Sequence, residues 1–172
     1  MTNLQPDQPR TQIEWLFWFQ WIVASTLGWL VGWAILGEVG IGAALGVAQW
    51  LVLRGEVANA GWWILASAAA WLVGWGIIVS GLVVPTGADL ISSLIVGAVM
   101  GLLLGAGQLL VLRRWTHYAS LWIPANVSAW SVSFTGIMGG AALTGFVVGV
   151  VTGLVLDWLL RYPLPGVKSD EV

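Results

Sequence analysis

Polar side chains are so sparse along this chain that it reads as a series of apolar stretches. Six stretches occupy residues 15–36, 39–53, 62–84, 88–112, 121–138 and 140–160. A helix needs about 20 apolar residues to cross the hydrocarbon of a bilayer. Only the second stretch is clearly short of that. A membrane barrel would alternate polar and apolar positions, whereas these runs are unbroken. The pattern therefore predicts an all-α integral membrane fold with six transmembrane helices.

An internal repeat strengthens the short second stretch. Trp21-Ile22-x-Ala24-Ser25-x3-Trp29-Leu30-Val31-Gly32-Trp33 returns 42 residues later as Trp63-Ile64-x-Ala66-Ser67-x3-Trp71-Leu72-Val73-Gly74-Trp75. A worn copy follows as Trp122-Ile123-x-Ala125-Asn126-x3-Trp130, with Phe134 at the last aromatic position. A second motif comes after each copy. Gly42-x3-Gly46-x2-Gln49-x-Leu51-Val52-Leu53-Arg54 returns as Gly101-x3-Gly105-x2-Gln108-x-Leu110-Val111-Leu112-Arg113, then in degraded form as Gly145-x3-Gly149-x2-Thr152-x3-Leu156-Asp157. The six helices thus read as three tandem helical hairpins, at about 15–54, 62–113 and 121–160. Residues 1–14 form a polar tail and 161–172 a second one. The apolar stretch after Glu14 exceeds the core of a secretory signal, about 7–15 residues, and no small-residue cleavage site closes it. It is expected to stay in the membrane.

Composition supports this reading. Hydrophobic residues make up 59% of the 172 and charged residues 8%, against roughly 25% charged in a soluble domain. So few charges cannot cover a water-exposed surface, which leaves lipid as the solvent and the bilayer as a partner. A net charge of −2 gives no reason to expect nucleic acid. Cysteine is absent and His117 is the only histidine, which excludes thiol chemistry and a multi-histidine metal site within one chain. Basic residues concentrate on the cytoplasmic side of membrane proteins. With six spans, all six of them (Arg10, Arg54, Arg113, Arg114, Arg161 and Lys168) share one face with both termini, while Glu38 and Asp89 sit at the opposite turns. Both termini are therefore expected in the cytoplasm.

Lipid tails are as apolar as leucine, so close packing and interhelical hydrogen bonds must hold the helices together. Gly42/Gly46, Gly97/Gly101/Gly105 and Gly145/Gly149/Gly153 recur every four residues, which opens a groove on one helix face. Trp29/Trp33 and Trp71/Trp75 form ridges at the same spacing, and a ridge-in-groove pairing follows. Ser25/Gln49, Ser67/Gln108 and Asn126/Thr152 fall at matched depth, as clamps within each hairpin. The alternative is that Gln49, Gln108 and Asn126 face a cavity and hold the polar group of a ligand. Pro124 lies near a helix start, where a missing N–H is tolerated. Asp157 and Arg161, four apart, are expected to pair. Arg113 and Arg114 set topology or touch anionic headgroups, and His117 lies in a loop. Between the two motifs the spacing is far longer in the middle hairpin (Trp63 to Gly101) than in the first (Trp21 to Gly42). The outer hairpins are therefore expected to stop short, leaving a recess near Glu38.

On these motifs, across most of residues 15–160, the chain resembles the Trp- and Gly-rich repeat membrane proteins of bacteria, mainly of cyanobacterial and other phototrophic lineages. The resemblance implies architecture and source, namely a bacterial cytoplasmic (inner) or thylakoid membrane, and brings no activity or cofactor with it. The spans lack the mid-depth charges that proton and ion pathways use, and no catalytic constellation is present. The leading expectation is a non-enzymatic multi-pass protein acting through helix packing, as a structural or interaction subunit with itself or a larger complex. The alternatives are a binder of an apolar ligand or pigment (quinone, carotenoid or chlorophyll), motivated by the 14 tryptophans, and a small-solute channel or permease.

Overall fold

In the computed structural model residues 14–82, 89–136 and 141–164 are described. The segments 1–13, 83–88, 137–140 and 165–172, which include Arg10 and Lys168 and most of both tails, lie outside the described residues. Six α-helices follow in order: α1 Trp15–Val31, α2 Ile41–Leu53, α3 Trp62–Val79, α4 Leu90–Leu112, α5 Trp122–Phe134 and α6 Ala141–Leu160. No strand is formed among the described residues. The helix ends follow local chemistry. Past α1 a π-helical turn, Gly32–Leu36, runs to Gly37, whose φ of 71° favours glycine and stops the helix. α4 opens on Asp89, whose carboxylate accepts from the backbone N–H of Ser92 at 2.8 Å and from its hydroxyl at 3.0 Å. Pro124 occupies the third position of α5, where its missing N–H has no intrahelical partner to lose.

Trp15–Leu36, Trp62–Val79, Leu90–Leu112 and Leu143–Leu160 are long and apolar enough to cross a membrane. Glu38–Leu53 is apolar but shorter, and α5 has 13 residues. Each helix packs on its neighbours in sequence, and α6 packs back on α1, so the six form a closed ring. One end of the ring gathers the start of α1, the α2–α3 and α4–α5 connections and the segment after α6. There the backbone N–H of Glu14 donates to Asp157, the Thr116 hydroxyl donates to the Tyr162 carbonyl and the Leu164 N–H to that of Trp115. Arg54, Arg113, Arg114 and Arg161 all lie at this end, at the termini of α2, α4 and α6.

The spacing surplus of the middle hairpin appears mainly in α4, with 23 residues against 13 in α2. The recess expected near Glu38 is where the α1–α2 connection leans onto α3: the Trp71 indole N–H donates to the Glu38 carbonyl at 2.6 Å. Two buried clusters fill the ring. One, toward the arginine end, includes Trp21, Trp63, Trp122, Leu53, Leu112 and Leu156. The other includes Trp29, Trp71, Trp130, Leu45, Met100 and Leu104.

Candidate functional site

The centre of the ring is occupied by tryptophan. Trp21, Trp63 and Trp122, one from each of α1, α3 and α5, are fully or almost fully buried. Their ring centroids lie 5.9, 5.7 and 6.3 Å apart, so each touches the other two. Eight residues further along the same helices, Trp29, Trp71 and Trp130 make a second triangle with sides of 5.9, 5.6 and 5.7 Å. Positions i, i+4 and i+8 share a helix face, so the two triads stack about 12 Å apart along the axis. Mutual edge and tilted contacts of this kind are worth roughly 0.5–1.5 kcal/mol per pair beyond burial. Phe134 extends the second triad against Trp29 and Trp130.

Between the triads lies a belt of buried polar groups, because the residue midway along each face is Ser25, Ser67 or Asn126. Gln49 of α2 donates to the Ser25 hydroxyl at 3.1 Å, and Gln108 of α4 donates to the Ser67 hydroxyl at 2.9 Å. Each amide oxygen then accepts an indole N–H from the next helix pair: Trp63 to Gln49 and Trp122 to Gln108, both at 2.9 Å. The last link closes the circle, with Trp21 donating to the Thr152 hydroxyl of α6 at 2.9 Å. Trp21, Trp63 and Trp122 thus all bond to the same repeat position, which holds Gln, Gln and Thr. In the third pair the shorter Thr152 hydroxyl donates to the Val148 carbonyl and the Asn126 amide to that of Trp122. The clamp expected between Asn126 and Thr152 is replaced by two local bonds, because the exchange of Gln for Thr removes the reach.

The glycine grooves receive the neighbouring helix. A Cβ on Gly101 would lie 2.5 Å from the Asn126 carbonyl oxygen of α5, and one on Gly105 3.0 Å from the Ile123 Cα. Gly97 meets α5 as well, at Trp130 and Ser131. Gly42 and Gly46 meet α3 in the same way, at Trp71, Ser67 and Ile64. Gly145 and Gly149 meet α1, with a Cβ on Gly149 2.8 Å from the Ile22 Cα, while Gly153 admits the rings of Trp18 and Trp21. Each groove therefore seats backbone of the next helix pair, and that contact closes the ring from α6 to α1. Of the expected ridges, Trp71 meets the groove at Gly42 and Trp29 the groove at Gly145. Trp29 and Trp71 turn into the axis, Trp75 is half-buried, and Trp33 is 54% exposed.

The three amides are placed in the interior, with Gln49, Gln108 and Asn126 each 2% exposed. Their bonds run to protein groups, and none of them lines the clefts at α1–α2, α2–α3 and α3–α4. The amide oxygens of the two glutamines, considered above as ligand-facing groups, point at indole N–H groups. Among the described residues, Arg161 Nε is the one buried side-chain nitrogen or oxygen without a partner. No protein-family model, curated protein or solved structure matches the chain.

At the ends of the helices the remaining candidates are simply placed. Arg161 forms the expected ion pair with Asp157, which is buried and also caps the start of α1 through Glu14. His117 is exposed in the α4–α5 connection. At the far end the backbone and then the hydroxyl of Ser92 hold the Asp89 carboxyl below its ordinary value. Trp21, Trp63, Trp122 and Trp130, which complete the triads, stand in the sequence as repeat positions and not as candidate site residues. Their signal was present in the i, i+4, i+8 spacing around Ser25, Ser67 and Asn126.

Proposed function

We propose that this chain is a six-span membrane protein of three tandem hairpins that acts as a non-enzymatic structural or interaction subunit. It works through its outer surface, against lipid, copies of itself or other membrane subunits. In this reading the arginine end and both termini face the cytoplasm, in a bacterial cytoplasmic (inner) or thylakoid membrane. The observation that carries the proposal is the filled axis. Two tryptophan triads occupy the position where a channel would need water, and the polar belt between them is bonded to itself. A solute path through the centre would have to break those bonds and displace rings packed on all sides, in an interior that transmits strain rather than flowing. A pigment held by Gln49 or Gln108 would have to take the amide oxygen from an indole N–H.

The test is reconstitution into liposomes of gently purified protein. The expected results are osmotic swelling in glycerol or urea no faster than that of protein-free vesicles, and an absorption spectrum with tryptophan bands alone. Faster swelling, or visible absorption that survives gel filtration with the protein, would replace the proposal with the channel or the pigment reading.

A further inference from the structure

Two of the clefts that open sideways from the ring are the same cleft twice. The first, about 660 Å³, lies between α1 and α2, and the second, about 420 Å³, lies between α3 and α4. Their linings correspond across the repeat: Val23 with Leu65, Ala48 with Gly107, Leu51 with Leu110, and Arg54 with Arg113. In both, a small residue forms the floor, exposed leucines form the walls, and arginine stands at the mouth by the end of the helix. The second adds Arg114 beside Arg113. Arg54 also borders a further cleft, between α2 and α3, where its guanidinium lies 5.4 Å from the centre of the Trp50 ring in a cation–π contact. The third copy differs at both ends of this design. Val151 stands where the floor has Ala48 or Gly107, and Asp157, already paired with Arg161, stands where the mouth has arginine.

We propose that each of these two clefts holds one anionic phospholipid, with its phosphate at Arg54 or at Arg113 and Arg114 and an acyl chain laid over Ala48 or Gly107. The charge decides the occupant. An apolar groove ending in arginine complements a molecule with a tail beside an anionic head. A zwitterionic lipid brings its own cation to the same place. From Arg54 down to Ala48 the cleft descends about 9 Å along α2, which is the passage from headgroup into hydrocarbon. A basic residue near the membrane surface favours anionic lipid by about 1 kcal/mol, or roughly fivefold. The second cleft, with two arginines, is therefore the more selective. The inference rests on the membrane reading above.

The experiment is native mass spectrometry of the full chain in detergent, titrated separately with phosphatidylglycerol and phosphatidylcholine of the same acyl chains. Two retained phosphatidylglycerols are expected, with phosphatidylcholine lost at activation energies that keep them. Arg54→Gln should lose one, Arg113→Gln with Arg114→Gln the other, and Arg54→Lys should keep both. Equal retention of the two lipids, or undiminished phosphatidylglycerol on the triple glutamine variant, overturns the proposal. Failure of the membrane reading looks different: the protein would then be recovered without detergent.

Discussion

Replacing Gln108 with leucine tests the belt at its most connected point. The side chain is 2% exposed and joins α4 to two helices at once, through Ser67 on α3 and Trp122 on α5, both at 2.9 Å. Interhelical bonds in membranes contribute roughly 0.6–2 kcal/mol each, so Gln108→Leu should cost about 1–4 kcal/mol. The two partners are not equally stranded. A serine hydroxyl can turn to the carbonyl one turn back, as Ser133 does toward Ala129. The indole of Trp122 is locked between Trp21 and Trp63 and has no such turn available. In double-mutant cycles, Gln108→Leu with Trp122→Phe should therefore show a coupling of about 1–2 kcal/mol. The cycle with Ser67→Ala should show less, about 0.5–1 kcal/mol. The assay is reversible unfolding in mixed micelles, titrated with SDS and followed by circular dichroism. Additivity of Gln108 and Trp122 within about 0.3 kcal/mol would refute the claim that the amide links neighbouring helix pairs.

Two further outcomes follow from the same structure. Gly101→Ala should destabilise by about 1–3 kcal/mol because its Cβ meets the Asn126 carbonyl, whereas Gly76→Ala, with nothing within 4 Å, should be neutral or stabilising by up to about 1 kcal/mol; equal melting temperatures for the two variants would contradict the groove assignment. Because the folded carboxyl of Asp89 is depressed below its ordinary value of 3.8, its cap stabilises fully above that value and loses its effect as pH falls through the folded one; Asp89→Ala should therefore melt lower than the parent at pH 7 and converge with it in strong acid, and a constant difference at all pH values would exclude the carboxylate as the cause.

Much of the architecture was readable in the sequence because long apolar helices obey few rules. Long apolar runs give the helices, and repeated Trp, Gly and Gln positions give their grouping. The Ser25–Gln49 and Ser67–Gln108 clamps followed from depth alone, since helix rise converts residue number into distance. What the sequence hid was azimuth. Nothing in the spacing of Trp29 and Trp33 says which ring turns inward, and the answer depends on the Gly145 and Gly149 surface of a helix more than a hundred residues away. The same holds for Gln49, whose second partner, Trp63, belongs to the following helix pair. A pairwise reading within each hairpin could not reveal a circle that closes only when α6 meets α1.

The central claim, six crossings, turns on α2 and α5, each 13 residues or about 20 Å long. The chain has no native cysteine, so single cysteines report cleanly. Val39→Cys and Ser80→Cys flank α2 and α3, and His117→Cys and Thr135→Cys flank α5. In intact cells, an impermeant maleimide should label positions 39, 80 and 135 and leave 117 unlabelled until the membrane is opened. Opposite behaviour of positions 39 and 80, or like behaviour of 117 and 135, would mean that a short helix does not cross, and the six-span account would be wrong.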